Sequence, residues 1–199
     1  SMITITGVAK GSGMIRPNMA TMLSYLATDA AVSQPLLNKM IHNVAESSFN
    51  RITVDGDTST NDCCMLVATG KSGVSINKLS THDYGQFKAA LESLFVTLAT
   101  ELIKDAEGAS KFITITVASG ASSLECRRVA YSIAESPLVK TALFGEDPNR
   151  GRILAAVGRS GLENLDLQSI TIDLGSVPRA RCGDEVTLWG DGLPVEEVA

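Results

Sequence analysis

The chain has 199 residues, 44% of them hydrophobic, and a formal net charge of −5 from 17 basic and 22 acidic side chains. That length suits one or two modest domains, whose folding buries about 70% of the surface an unfolded chain exposes. The charges are mixed in sign with no basic run, which argues against nucleic acid or an anionic membrane as the main partner. No apolar stretch approaches the roughly 20 residues of a membrane span, and the N-terminus lacks a charged-then-apolar signal pattern. The expectation is a soluble, cytoplasmic protein.

In chain order, residues 3–6 and 22–27 are predicted strands flanking a glycine-rich loop. Residues 34–49 carry Leu36, Leu37, Met40, Ile41, Val44 and Ala45 at helical spacing. A longer helix is predicted over 84–105, with Phe87, Leu91, Leu94, Phe95, Leu98 and Leu102 as its apolar stripe. Residues 112–118 alternate as a strand. A third helix is predicted over 122–135, closed by Ser136 and Pro137, because proline disfavours helical geometry in the residue before it. Residues 153–157 and 169–174 are predicted strands. Long amphipathic helices mixed with short strands give the expected fold class: α+β, with helices covering a layered mixed or antiparallel sheet.

The four cysteines, Cys63, Cys64, Cys126 and Cys182, show no Cys-x-x-Cys spacing. Neither a zinc site nor a disulfide framework is expected, and a reducing compartment is the simplest setting. Asp55, Asp57, Asn61 and Asp62 resemble a cation loop, yet counting from Asp55 the position that calcium needs as glutamate is Leu66. These residues, with Thr58, Ser59 and Thr60, are expected to organise a turn. His42 and His82 lack metal-ligand spacing, so no metal is expected.

The loop Lys10-Gly-Ser-Gly-Met-Ile-Arg-Pro-Asn-Met-Ala20-Thr21-Met-Leu23 places a threonine behind a small residue where the loop becomes an apolar run. A threonine hydroxyl is a weak nucleophile that its own α-amine can activate, and that amine exists only if the chain breaks before it. A free α-amine titrates near pH ~8, close enough to neutrality to accept a proton. Gly11 and Gly13 permit unusual φ angles, Pro17 fixes its own, and Ala20 leaves little bulk beside the bond. Spacing alone fits an ordinary surface loop better, since glycine-rich loops before strands are common.

Three further segments stand in register with that loop: Arg51-Ile-Thr-Val-Asp-Gly-Asp-Thr-Ser-Thr-Asn-Asp62, Asp105-Ala-Glu-Gly-Ala-Ser-Lys111, and Ser136-Pro-Leu-Val-Lys-Thr-Ala-Leu-Phe-Gly-Glu-Asp-Pro-Asn149. Together they resemble the ornithine acetyltransferases, the bifunctional glutamate N-acetyltransferases of arginine biosynthesis, over about residues 6–175. The resemblance implies a self-cleaving acyltransferase of N-terminal-nucleophile-like fold. It implies cleavage between Ala20 and Thr21 into α and β chains that stay associated in a hetero-oligomer. It further implies that Thr21 carries the acetyl group from N-acetylornithine to glutamate, that Lys10, Thr21 and Glu107 contact substrate, and that no cofactor is needed beyond acetyl-CoA as an alternative donor in some members.

From its residues alone, Lys10 reads as a solvated surface charge and Glu107 as an acidic helix end before a glycine cap, Gly108. Lys140, Thr141 and Asp147 to Asn149 are expected to be structural or pocket-lining. Residues 1–175 make the expected β-chain region, with the cleavage loop at 10–23, and 176–199 an atypical C-terminal segment.

The resemblance has three gaps. The family's N-terminal half supplies an oxyanion pair, each donor worth roughly 3 to 4 kcal/mol, and this chain begins about twenty residues before Thr21. Residues 183–199 resemble part of the alanine racemase barrel domain. Arg150 stands where an aromatic side chain is more usual. Two other readings follow: a non-catalytic fragment needing an α chain, and a related amidase or aminopeptidase that sends the acyl group to water.

Overall fold

The computed structural model describes residues 2–11, 13–16, 22–59, 63–77, 82–162, 169–176 and 186–187. It divides into two compact units, Ser1–Glu107 and Gly108–Ala199. No helix among the described residues is long and apolar enough to cross a membrane.

In the first unit, strands β1 (Ile5–Lys10) and β2 (Leu23–Thr28) pair antiparallel. After a short strand β3 (Ala31–Val32) and helix α1 (Gln34–Glu46), strand β4 (Cys63–Ala68) returns parallel to β2, giving the order β1-β2-β4. A second short strand, β5 (Ser75–Ile76), pairs parallel with β3. Helix α2 (His82–Lys104) follows. Its buried positions Phe87, Leu91, Phe95, Ala99 and Leu102 recur every three or four residues, so they form one face against the sheet.

Strand alternation sends Ser24, Leu26 and Thr28 of β2 to that same interior. Leu36, Met40 and Val44 of α1 close the core from the other helix. Helix α1 stops three residues short of its predicted end: the Ser47 hydroxyl bonds back to the Val44 carbonyl, and Phe49–Arg51 forms a separate single turn. This turn carries Phe49 to within 5.2 Å of the Phe95 ring, at a tilt of 53° that suits the ring quadrupoles.

Strand β1 lies close beneath α2 because Gly7 has no side chain. A carbon added there would sit 3.0 Å from the Leu26 side chain and 3.2 Å from Leu98. Gly7→Ala is therefore expected to lower stability by about 1 to 2 kcal/mol through overpacking, read as a lower urea midpoint at unchanged slope.

The second unit holds β6 (Lys111–Ala118), α3 (Ser123–Ala134), α4 (Pro137–Phe144), α5 (Arg150–Gly158), β7 (Ser169–Ser176) and β8 (Val186–Thr187). Its sheet is antiparallel throughout, in the order β6-β7-β8. Ile113, Ile115, Val117, Ile170 and Ile172 form the apolar face that packs with Val129, Ile133, Val139, Leu143 and Ile153 of the helices. Each helix starts on a side-chain cap. Ser122 accepts from the Glu125 N–H, Ser136 from the Val139 N–H, and Asn149 from the Arg152 N–H.

Residues 153–157, expected as a strand, lie instead within α5. The run is too short for periodicity to separate strand from helix, and the Asn149 cap with alanines at 155 and 156 decides for helix. The Ser136–Pro137 pair ends α3 as expected and also begins α4, since proline suits the first helical turn. The layered α+β class stands, with a mixed sheet in one unit and an antiparallel sheet in the other. Of residues 176–199, only Ser176, Val186 and Thr187 are described.

Candidate active site

Lys10 is the last residue of β1 and pairs across the ladder with Leu23, the first of β2. Thr21 stands two positions before Leu23 in sequence. Ala20 and Thr21 lie outside the described residues, and so do Asn61 and Asp62 of the acidic segment. What the structure describes is the frame that receives the loop.

That frame has three supports. Ile15 is fully buried, and its side chain comes within 3.3 Å of a carbon placed on Gly11, so the chain can turn inward there only because residue 11 is small. The Arg51–Asp62 segment holds the loop's backbone from the other side. Asp55 Oδ1 accepts from the Ile15 N–H at 3.2 Å, the Val54 N–H donates to the Ile15 carbonyl at 2.6 Å, and the Thr58 hydroxyl donates to the Arg16 carbonyl at 3.1 Å. Glu107 supplies the third: its Oε2 lies 3.5 Å from where a side chain would begin at Gly13.

Glu107 follows the end of α2 and precedes Gly108, whose φ of 71° is the left-handed geometry of a helix C-terminal glycine. Glu107 thus lies three residues past the end of α2, and its carboxylate borders the glycine-rich loop. Lys10 borders the same loop from β1. It lines an open cleft of about 510 Å³ with Ala9, Gly11, Leu98, Glu101, Leu102 and Asp105. The cleft brings one ammonium and two carboxylates to the rim of an apolar floor. Glu101 is engaged by Lys104 at 3.0 Å.

Sequence reasoning assigned Asp55 and Thr58 only to a local turn. Asp55 does make that turn, accepting from the Asp57 N–H at 3.0 Å. Its contact with Ile15 spans 40 positions, which no local pattern reveals. Glu101 and Asp105 were also missed, being indistinguishable in sequence from a solvated helix face.

Cys63 and Cys64 open β4 beside the same strand end, Cys63 opposite Leu23 and Cys64 opposite Ser24. Burial pushes the Cys64 thiol up; the Ser24 hydroxyl pulls the other way and Cys63 adds to the rise. Ser24 Oγ is buried and meets no partner at hydrogen-bond geometry among the described residues.

His42 and His82 are exposed on α1 and α2. Lys140 and Thr141 sit on α4, where the Thr141 hydroxyl accepts from Arg152 at 3.3 Å; Asn149 caps α5 and donates to Asp147 at 2.9 Å. That segment organises the second unit, as its structural reading expected. Arg150 is the exposed first residue of α5.

The ArgJ family model matches residues 1–191. That match extends well into the segment likened to alanine racemase, a likeness left without support. Over 176 residues the chain is 53% identical to the arginine biosynthesis bifunctional protein ArgJ of Pseudomonas fluorescens (strain Pf0-1), covering 88% of this chain and 44% of that protein. Over 188 residues it is 51% identical to the protein of the same name from Pseudomonas syringae pv. tomato, covering 94% and 46%. The crystal structure of the arginine biosynthesis bifunctional protein argJ from Bacillus halodurans superposes with a TM-score of 0.65 at 28% identity, covering 85% of this chain and 93% of that one. The chain spans about half the length of the curated relatives it matches. Matched over nearly all its length, and more than half identical to these relatives, the chain belongs to the ArgJ family.

Proposed function

We propose that this chain is the nucleophile-bearing half of an acetyltransferase that moves an acetyl group from N-acetylornithine to glutamate. Family membership supports the reaction, and the Asp55-held approach to Thr21 is the observation that carries it to these residues. Residues 1–175 form the β-chain-like region together with its cleavage loop at 10–23, and 176–199 a separate segment.

Hydrolysis of the Ala20–Thr21 bond consumes one water and leaves Thr21 with a free α-amine. That amine takes the hydroxyl proton as Oγ attacks the acetyl carbonyl of N-acetylornithine. The amide C–N bond breaks, ornithine leaves with the proton on its amine, and the acetyl group remains on Oγ as an ester. The α-amine of glutamate then attacks the ester and restores the hydroxyl. No cofactor takes part, and acetyl-CoA serves as an alternative donor to the same oxygen. Lys10 pairs with the substrate α-carboxylate, and Glu107 receives its ammonium.

Family membership supports an α chain that completes the site, and the assembly in this reading is a cytoplasmic hetero-oligomer. The test is an assay of the chain with that α chain present, following N-acetylornithine, N-acetylglutamate and free acetate. Transfer to glutamate supports the reading; acetate release with no acetylglutamate would instead identify a hydrolase. Lys10→Ala and Glu107→Ala are each expected to raise KM for N-acetylornithine about tenfold with a smaller change in kcat, since both groups bind substrate in ground and transition states alike.

A further inference from the structure

A glutamate stands at a backbone position that favours glycine. Helix α4 ends at Gly145, and beyond it the Glu146 N–H donates to the Leu143 carbonyl at 3.1 Å while the Asp147 N–H donates to the Ala142 carbonyl at 2.9 Å. Those two bonds wrap the helix end back on itself, a cap whose first residue past the helix takes left-handed backbone and is usually glycine. Here that residue is Glu146, with a φ of 59°. The glycine sits one place earlier, at a φ of −80° that any residue adopts. The Glu146 side chain reaches Lys111, the first residue of β6, and its Oε1 accepts from the Lys111 ammonium at 3.1 Å. The Glu146 side chain is 72% exposed and that of Lys111 only 12%. An ion pair with one end in water contributes little stability, less than left-handed backbone costs a residue that carries a side chain. Stability alone therefore does not account for a glutamate at this place.

The pair joins two of the segments that stand in register along the chain: Lys111 closes Asp105–Lys111, and Glu146 lies within Ser136–Asn149. The first of these carries Glu107 between α2 and β6. On the near side its backbone is fixed by α2, where the Asp105 N–H donates to the Glu101 carbonyl at 2.9 Å and the Ala106 N–H to the Ile103 carbonyl at 3.3 Å, with Ala106 buried. On the far side come Gly108, Ala109 and Ser110. A side chain placed on Gly108 would meet nothing within 4 Å among the described residues, so packing does not steady the chain there. The next fixed point is Lys111, laddered to Ser176 and gripped by Glu146. We infer that the Lys111–Glu146 pair is a positioning device for Glu107: it pins the far end of the Gly108–Ser110 connection and so narrows the directions in which the Glu107 carboxylate can point. A carboxylate aimed before its ligand arrives loses less freedom on binding, and affinity rises accordingly. The inference rests on the reading above, in which Glu107 receives the ammonium of N-acetylornithine. Lys111 and Glu146 act through Glu107 and have no chemical step of their own.

The test combines thermal melts with kinetics of the chain assayed alongside the proposed α chain. Glu146→Gly removes the carboxylate and suits the left-handed backbone, so it is expected to melt no lower than wild type while raising KM for N-acetylornithine about three- to tenfold at nearly unchanged kcat. KM for glutamate is expected to move less than about twofold, because glutamate has no side-chain ammonium for Glu107 to receive. Lys111→Met keeps the apolar stem, loses the charge and is expected to give the same split, whereas Lys111→Arg keeps the charge and restores most of the affinity. The double variant is expected to be no worse than either single one, since each removes the same link. If Lys111→Met folds poorly, Glu146→Gly decides alone. An unchanged KM for N-acetylornithine in Glu146→Gly, an equal rise in both KM values, or effects that multiply in the double variant overturns the positioning role. If Glu107→Ala still raises KM in that case, the substrate-contact reading stands; Glu107→Ala without effect overturns both.

Discussion

Replacing Thr21 with alanine is expected to leave the chain uncut between residues 20 and 21 and to abolish acetyl transfer, a loss on the order of 10⁴-fold or more. The size follows from the chemistry. In the proposed mechanism one oxygen breaks the bond that frees the α-amine and afterwards carries the acetyl group, and the amine is what makes that oxygen a nucleophile. No neighbour in the described frame substitutes for it: Ser24 is fully buried on the helix-facing side of β2, and Cys64 sits beside it with its thiol pushed up by burial. Thr21→Ser keeps the hydroxyl and is expected to retain cleavage and part of the transfer rate. A mass spectrum and an acetylglutamate assay on the same samples read both effects. Cleavage persisting in Thr21→Ala would place the scissile chemistry on another residue.

The second large effect is expected at Asp55, which has no chemical step in the proposed reaction. Its Oδ1 accepts from the N–H groups of Ile15 and Asp57 and so ties two segments 40 positions apart. Hydrogen bonds to a charged acceptor contribute about 1.5 to 3 kcal/mol each. If the approach to Thr21 must be held in place for intramolecular attack, loosening it lowers the effective concentration of the hydroxyl at the Ala20 carbonyl. Asp55→Ala is expected to slow cleavage about 10- to 100-fold. Asp55→Asn keeps an acceptor oxygen and recovers most of the rate. A time course of freshly synthesised chain separates the two; cleavage of Asp55→Ala at the wild-type rate would show that the anchor is merely structural.

Sequence was most legible where one periodicity dominated. The stripe from Phe87 to Leu102 recurs every three or four residues within a helix of 23 residues, and no competing pattern overlies it. It was least legible where both faces of a strand are apolar. Cys63–Ala68 is a continuous apolar run with no alternation, so neither its identity as a strand nor its two faces announced themselves. The error over residues 153–157 has the same origin, a short apolar run read as a strand that a cap at Asn149 turns into a helix.

At the site, the family resemblance singled out Lys10 and Glu107, and both border the loop. Asp55 illustrates the complementary limit. Its turn-forming role is written in its neighbours Gly56 and Asp57, but its grip on Ile15 depends on how two distant segments fold together. Local chemistry is visible in sequence, whereas a contact across 40 positions becomes visible only once the sheet and helices have brought its ends together.

The central claim, that Thr21 carries the acetyl group after self-cleavage, is tested most directly by intact-mass and fragment mapping of the chain held with the proposed α chain and briefly exposed to N-acetylornithine. The account predicts a fragment beginning at Thr21 that gains the mass of one acetyl group on the Thr21 side chain and loses it when glutamate is added. Acetyl transfer by a chain that is still uncut, or an acetyl group retained on any other residue through glutamate addition, would contradict it.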